Sequence, residues 1–343
     1  MHSALAVAPS VVETTSQPAP WPQALRGWIR PVAGLGILAF LLWRLGTGPF
    51  LDGLRLIDGR ALVAALAIGA LTTVCCAWRW SLVAGGLGLR LPLRTAVADC
   101  YRAVFLNATL PGGVLGDVHR AVSHGRDAGD VGRGVRAVVW ERTAGQLVQL
   151  ALAMVVLLAL PSPVQAYMPA VAAVAAAAAL AAVFLSWCPR AEARAWAPSR
   201  PGLSRLAQAL RAARTDIRDG LLARRNGPRI VLASAVAVSG HLATFMIAAR
   251  TAGSVAPLVS VVPLTMLALL AMGVPANVGG FGPREGVAAW AFGAAGLTAS
   301  QGVTTAVVYG ALVLVSSLPG AAVMLARRIR VPAAGSSEGV AVG

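Results

Sequence analysis

A chain of 343 residues that is 57% hydrophobic and only 12% charged is not an ordinary soluble domain, in which about a quarter of residues are charged. Its net charge of +16 comes from 29 arginines without a single lysine. These arginines lie in loops between apolar segments, where positive-inside topology and anionic headgroups account for them, so nucleic acid is not an expected partner.

Residues 1–27 begin with an Ala-, Pro-, Ser- and Thr-rich stretch that has neither the basic nor the apolar region of a secretory signal. They read as a disordered cytoplasmic tail. A first apolar run, 32–45, follows Arg26 and Arg30 and with Trp28 and Ile29 suffices for one short crossing. Residues 61–83 make a spanning helix that ends in Trp78-Arg79-Trp80, read as an interfacial anchor. The next run, 97–118, is interrupted by Asn107-Ala-Thr-Leu-Pro-Gly-Gly-Val-Leu-Gly-Asp117. Its Leu-Pro-Gly-Gly stops a helix near mid-depth. Arg120, Arg126, Arg133 and Arg136 place the following loop inside.

Residues 137–160 span outward with Glu141-Arg142 near their inner end, and 168–187 return. Segment 189–229 holds ten arginines against Glu192, Asp216 and Asp219, with Leu203, Leu206, Leu210, Ala213 and Ile217 at helical spacing. It reads either as a basic amphipathic helix on the cytoplasmic membrane surface or as a solvated connecting helix. Residues 230–249 span outward and 303–326 span back, between them a second interrupted stretch, 258–297. Its centre is Gly273-Val-Pro-Ala-Asn-Val-Gly-Gly-Phe-Gly-Pro-Arg-Glu-Gly286, which five glycines and two prolines bar from forming one lipid-facing helix.

The expected fold is an all-α polytopic membrane protein with about six spanning helices and two re-entrant helical hairpins. One domain, 28–330, lies between tails 1–27 and 331–343, and both termini are cytoplasmic in the inner cell membrane. Hydropathy leaves two extra full spans open. The two breaks share an Asn, a Gly pair, a further Gly and then charge, a loose likeness that opposite membrane faces would make an inverted repeat. Paired interrupted segments point to a transporter's midplane site.

Half-helices that start at a break aim unsatisfied N–H groups into the cavity. Gly112, Gly113, Gly279, Gly280 and Gly282 admit close backbone approach. Arg284 offers a planar fork for a lipid phosphate, and Glu285 is its counter-ion, a proton carrier or an acceptor for an amine-bearing headgroup. Asp117 and Arg120 are the corresponding pair at the cytoplasmic mouth, with Glu141 and Arg142 behind them. The alternative is that Arg284-Glu285 and Glu141-Arg142 simply neutralise each other and lock helices together. Asn107 and Asn277 read first as groups satisfying backbone around the breaks, Asn277 being the better site candidate.

Cys75, Cys76, Cys100 and Cys188 lack zinc-ligand spacing and read as small buried hydrophobes. His2, His119, His124 and His241 form no ligand pair. No hydrolase, zinc-protease or phosphate-loop motif is present. We therefore expect no enzyme activity, cofactor or metal.

Leu110-Pro-Gly-Gly-Val-Leu-Gly-Asp117 followed by Arg120, together with Asn277-Val-Gly-Gly-Phe-Gly-Pro-Arg-Glu-Gly286 and the Tyr309-containing last span, resembles the lysylphosphatidylglycerol synthase transmembrane family, also called flippase-like. The resemblance covers roughly 32–330. It implies paired re-entrant helices and movement of a lipid, often aminoacylated or polyprenyl-linked, between leaflets. Thirteen residues follow Arg330, so the soluble synthase domain of the bifunctional members is expected to be missing. The expected function is translocation of a lipid with an anionic or phosphate headgroup. The alternative is a membrane scaffold or accessory subunit for a lipid- or glycosyl-transferase, docked through 189–229. Homo-oligomerisation stays open.

Overall fold

The computed structural model describes residues 46–110, 113–187, 215–217, 225–274 and 281–329, with residues 36, 39–40 and 42–43 besides. The expected tails, most of the first apolar run and most of segment 189–229 lie outside them. Among the described residues the chain is all-helical: α1 (Gly48–Arg55), α2 (Gly59–Gly86), α3 (Leu93–Thr109), α4 (Leu115–Asp127), α5 (Val131–Ala159), α6 (Met168–Trp187), α7 (Gly227–Thr251), α8 (Leu258–Ala271), α9 (Pro283–Ala294) and α10 (Ala299–Ile329).

Four of these, α2, α5, α7 and α10, are long and apolar enough to cross a membrane. At 1.5 Å per residue they reach about 37–46 Å, beyond the ~30 Å hydrocarbon core. Helices α2 and α5 begin earlier than hydropathy suggests, because carboxylates cap them. The Asp58 and Asp130 side chains each accept a backbone N–H three residues on, at 2.8 Å, which satisfies a donor the helix leaves open.

The two interrupted stretches fold as helix–break–helix pairs whose halves pack on each other, α3 on α4 and α8 on α9. Each half has 12–17 residues, about 18–26 Å, too short to span the core by itself. Gly116 allows the first pair to close, since a Cβ there would overlap the Ala103 carbonyl. Gly282 sits at φ +133°, a conformation open in practice to glycine alone, and turns the chain into Pro283 at the start of α9.

The packing repeats itself. Exchanging α1 with α6, α2 with α7, α3 with α8, α4 with α9 and α5 with α10 leaves the principal helix contacts unchanged as a set. Thus α3 packs on α10 and α8 on α5; α4 packs on α5 and α9 on α10; α2 packs on α5 and α7 on α10. The same exchange maps α2–α10 onto α5–α7, and α2 and α7 pack directly on one another. Each half is therefore a span, a broken pair and a span, and each broken pair leans on the last span of the other half. The loose likeness between the two breaks in sequence has this architecture behind it.

Candidate functional site

Three buried side chains tie the first half together: Arg79 on α2, Arg120 on α4 and Glu141 on α5. The Glu141 carboxylate accepts from Arg79 Nε at 2.9 Å, from Arg79 Nη2, and from Arg120 Nη2 at 2.5 Å. Arg79 also donates to Ser234 Oγ on α7 at 3.0 Å, and the Arg120 guanidinium lies 4.7 Å from the centre of the buried Trp80 ring. Buried charges persist only when paired and fully hydrogen-bonded, and here one carboxylate serves two guanidiniums.

Asp117 is the second carboxylate of the cluster. Its Oδ1 accepts from Arg120 Nε at 2.9 Å and from Arg142 Nη2 at 2.7 Å, and its Oδ2 accepts from Asn107 Nδ2 at 3.0 Å. The Asn107 carbonyl in turn accepts the Gly116 N–H at 2.8 Å. Asn107 thus satisfies backbone at the first break, the role expected for it.

In the second half the corresponding elements carry His241 on α7, Tyr309 on α10 and Arg284 on α9. Tyr309 Oη and His241 Nδ1 lie 3.0 Å apart, and the Arg284 guanidinium sits 5.1 Å from the Tyr309 ring centre and 5.5 Å from that of Phe281. Glu285 Oε1 accepts from Arg284 Nε at 2.8 Å and from its Nη2, while Oε2 accepts the Gly282 N–H at 2.7 Å. Glu141 and Tyr309 each stand ten residues into their helices, which start at Val131 and Ala299, so the two polar centres occupy equivalent places.

The halves meet at two cavities. A narrow chamber of about 170 Å³ is lined by Arg142, Gln146, Gln149, His241 and Tyr309, with Leu269, Met272 and Gly273 at the end of α8. Gln149 Nε2 donates to the Leu269 carbonyl at 2.9 Å and helps hold that end. Beside it a larger cavity of about 510 Å³ reaches from Gly113 and Val114 at the first break to Met272 and Gly273 at the second. Its walls are mostly valine, Val118 and Val122 from α4 and Val135, Val138 and Val139 from α5, with Asp117, Arg142, Thr143 and Gln146 as polar members. Val118, Val135 and Val139 are exposed, so this cavity opens to the surface through an apolar wall. Arg142 lines both spaces.

The sequence-predicted residues divide accordingly. Gly113, Asp117 and Arg142 lie on the larger cavity. Arg120 and Glu141 stand directly behind it, buried. Arg284 and Glu285 are also buried and bonded to each other; they reach the chamber through Tyr309 rather than lining it. Gly112, Asn277, Gly279 and Gly280 lie outside the described residues. Arg79 is not an interfacial anchor: it is buried at the meeting of α2, α5 and α7, and the neighbouring Trp80 is buried with its ring against Arg120 and His124 of α4. The sequence reading does not single out Gln146, Gln149 and His241 as site residues, although Gln146 and Gln149 follow Arg142 on one helical face, and Tyr309 enters only through the family resemblance. Asp216, in the basic segment, accepts from Arg136 Nε at 2.9 Å and Trp140 Nε1 at 3.1 Å, which holds that point of the segment on α5. Among the described residues no three His, Cys, Asp or Glu side chains gather as a metal site.

The family described as the lysylphosphatidylglycerol synthase TM region matches residues 27–320. No curated protein and no solved structure matches the chain.

Proposed function

The chain belongs to the lysylphosphatidylglycerol synthase TM region family, and from that premise we propose that this multi-pass membrane protein is a lipid translocase. One observation supports the reading above others: a valine-rich cavity of about 510 Å³ reaches from one break to the other, opens to the surface through an apolar wall and holds a guanidinium, that of Arg142. A lipid needs both parts of such a site. Its acyl chains stay in the bilayer against the valines, while its phosphate leaves the headgroup layer for Arg142, whose fork suits phosphate oxygens.

In this reading α3–α4 and α8–α9 are re-entrant hairpins that enter from opposite faces, the first from the cytoplasm. The repeat is then an inverted one. Six spans, counting residues 32–45 and α6, put both termini in the cytoplasm of the inner cell membrane, in accord with the arginine-rich loops. Irregular backbone at the breaks is tolerable at that depth because it borders a cavity. The charge centres behind the cavity hold the hairpins, and small changes in how each hairpin leans on the opposite half's last span would expose the chamber to one leaflet or the other. The lipid is moved without covalent conversion, so no catalytic residue, cofactor or metal is assigned.

Filling the cavity tests the reading. Val139→Trp places a bulky ring in the wall of the larger cavity, whereas Leu150→Trp, on an exposed part of α5 away from both cavities, does not. Val139→Trp should slow leaflet exchange of an anionic phospholipid in liposomes while Leu150→Trp leaves it unchanged. Equal rates for the two folded variants would overturn the assignment.

A further inference from the structure

We propose that the cargo is an anionic phosphodiester lipid with a small uncharged polar headgroup, and that a cationic, aminoacylated headgroup is discriminated against. This rests on the translocase reading and concerns the same site.

Charge and hydrogen-bond capacity select the headgroup. Three guanidiniums, Arg79, Arg120 and Arg142, face two carboxylates, Asp117 and Glu141, through direct bonds. That leaves one net positive charge at the cavity. Arg284 and Glu285 cancel each other and leave this sum unchanged. So do residues 111–112 and 275–280, which carry no ionisable side chain. The charge is placed for use: the Arg142 side chain is 47% exposed, against 3% for Arg120 and 6% for Arg79. A single phosphodiester brings the one negative charge that neutralises it.

A lysyl or other ammonium headgroup needs a carboxylate facing the cavity. Asp117 is the one carboxylate among the described lining residues of the two cavities. It already accepts from Arg120, Arg142 and Asn107. Glu141 accepts from two guanidiniums and is 1% exposed, and Glu285 is fully buried. An ammonium in the chamber would meet the Arg142 cation with only neutral acceptors beside it and no unpaired carboxylate to offset the repulsion, a costly arrangement.

The inner chamber suits a different head. Its lining offers two carboxamides, Gln146 and Gln149, the His241 ring and Tyr309, groups that donate to and accept from hydroxyls without a charge requirement. Its volume of about 170 Å³ is a third of the larger cavity's 510 Å³, which favours a small head such as a polyol of glycerol size. A phosphate on Arg142 would set such a head at the mouth of this chamber, since Arg142 lines both spaces.

The test pairs binding with transport on the full chain. Saturable binding of short-chain phosphatidylglycerol and of its lysyl ester to the purified protein in detergent would be compared, with Arg142→Gln and Arg142→Lys beside the wild type. Phosphatidylglycerol should bind at least about tenfold more tightly than the lysyl ester. Arg142→Gln should remove that preference and Arg142→Lys should keep part of it. Equal or tighter binding of the lysyl ester by wild type, or no saturable binding of either, would overturn the inference. Leaflet exchange of the same two lipids separates this from the broader reading. Selective binding without exchange would leave the headgroup inference standing and remove the translocase; exchange of both lipids at equal rates, with equal affinities, would do the opposite.

Discussion

Arg79 and Glu141 stand 62 residues apart in the chain and form a buried ion pair, with Arg79 Nε 2.9 Å from the carboxylate. The same carboxylate holds Arg120, so one side chain fastens α2 and α4 to α5. Removing the acid leaves the buried Arg79 guanidinium with no carboxylate and Arg120 with Asp117 alone. Glu141→Gln is expected to destabilise the protein by about 3–5 kcal/mol, read as a marked fall in its melting temperature in detergent. A melting temperature equal to wild type would contradict the pairing.

Asn107 joins the arms of the first hairpin, accepting the Gly116 N–H and donating to Asp117. Asn107→Ala should cost about 1 kcal/mol, as for loss of a helix cap. Asn107→Asp should do no better: it restores an acceptor for Gly116 but sets a second carboxylate against Asp117. A denaturant series on the three proteins checks the order, and an Asn107→Asp variant as stable as wild type would count against the clasp.

Tyr309 serves the second half through its ring and its hydroxyl separately. The ring packs under Arg284 and against Phe245, with centroids 4.9 Å apart in the latter pair, and the hydroxyl meets His241. Tyr309→Phe should lose about 1 kcal/mol, the value of one hydrogen bond. Tyr309→Leu should lose more, because the buried cation–π contact goes as well, a further ~2 kcal/mol. Equal melting temperatures for the two variants would show that the ring contributes nothing beyond its hydroxyl.

Hydropathy and the Gly-Pro breaks made much of this fold legible. Helices α2, α5, α7 and α10 fall where apolar runs do, and both breaks interrupt helices where Leu110-Pro-Gly-Gly113 and the stretch after Gly273 stop them. Partner choice was harder to read. Glu141 and Arg142 are adjacent in sequence, yet helical neighbours one residue apart point about 100° from each other. Glu141 therefore turns inward to Arg79 and Arg120, and Arg142 turns to Asp117 and the cavity. Arg284 and Glu285 are adjacent too, but at a helix start, where Glu285 folds back to the Gly282 N–H and meets its neighbour. Arg79 reads as an interfacial anchor because a Trp-Arg-Trp near a helix end has that composition, and only the packing of α5 and α7 buries it. His241 and Tyr309 are 68 residues apart, and single polar residues in apolar helices give no sign of pairing.

In the proposed translocase, Arg142 is the cation that a lipid phosphate meets. The most direct measurement is leaflet exchange of fluorescent phosphatidylglycerol in liposomes containing the purified protein, wild type against Arg142→Ala, with melting temperatures showing that both are folded. Rapid exchange by wild type that falls at least about tenfold in Arg142→Ala, roughly 1.4 kcal/mol of lost phosphate interaction, is the predicted result. Exchange at the same rate by the folded variant, or none by folded wild type, would contradict it.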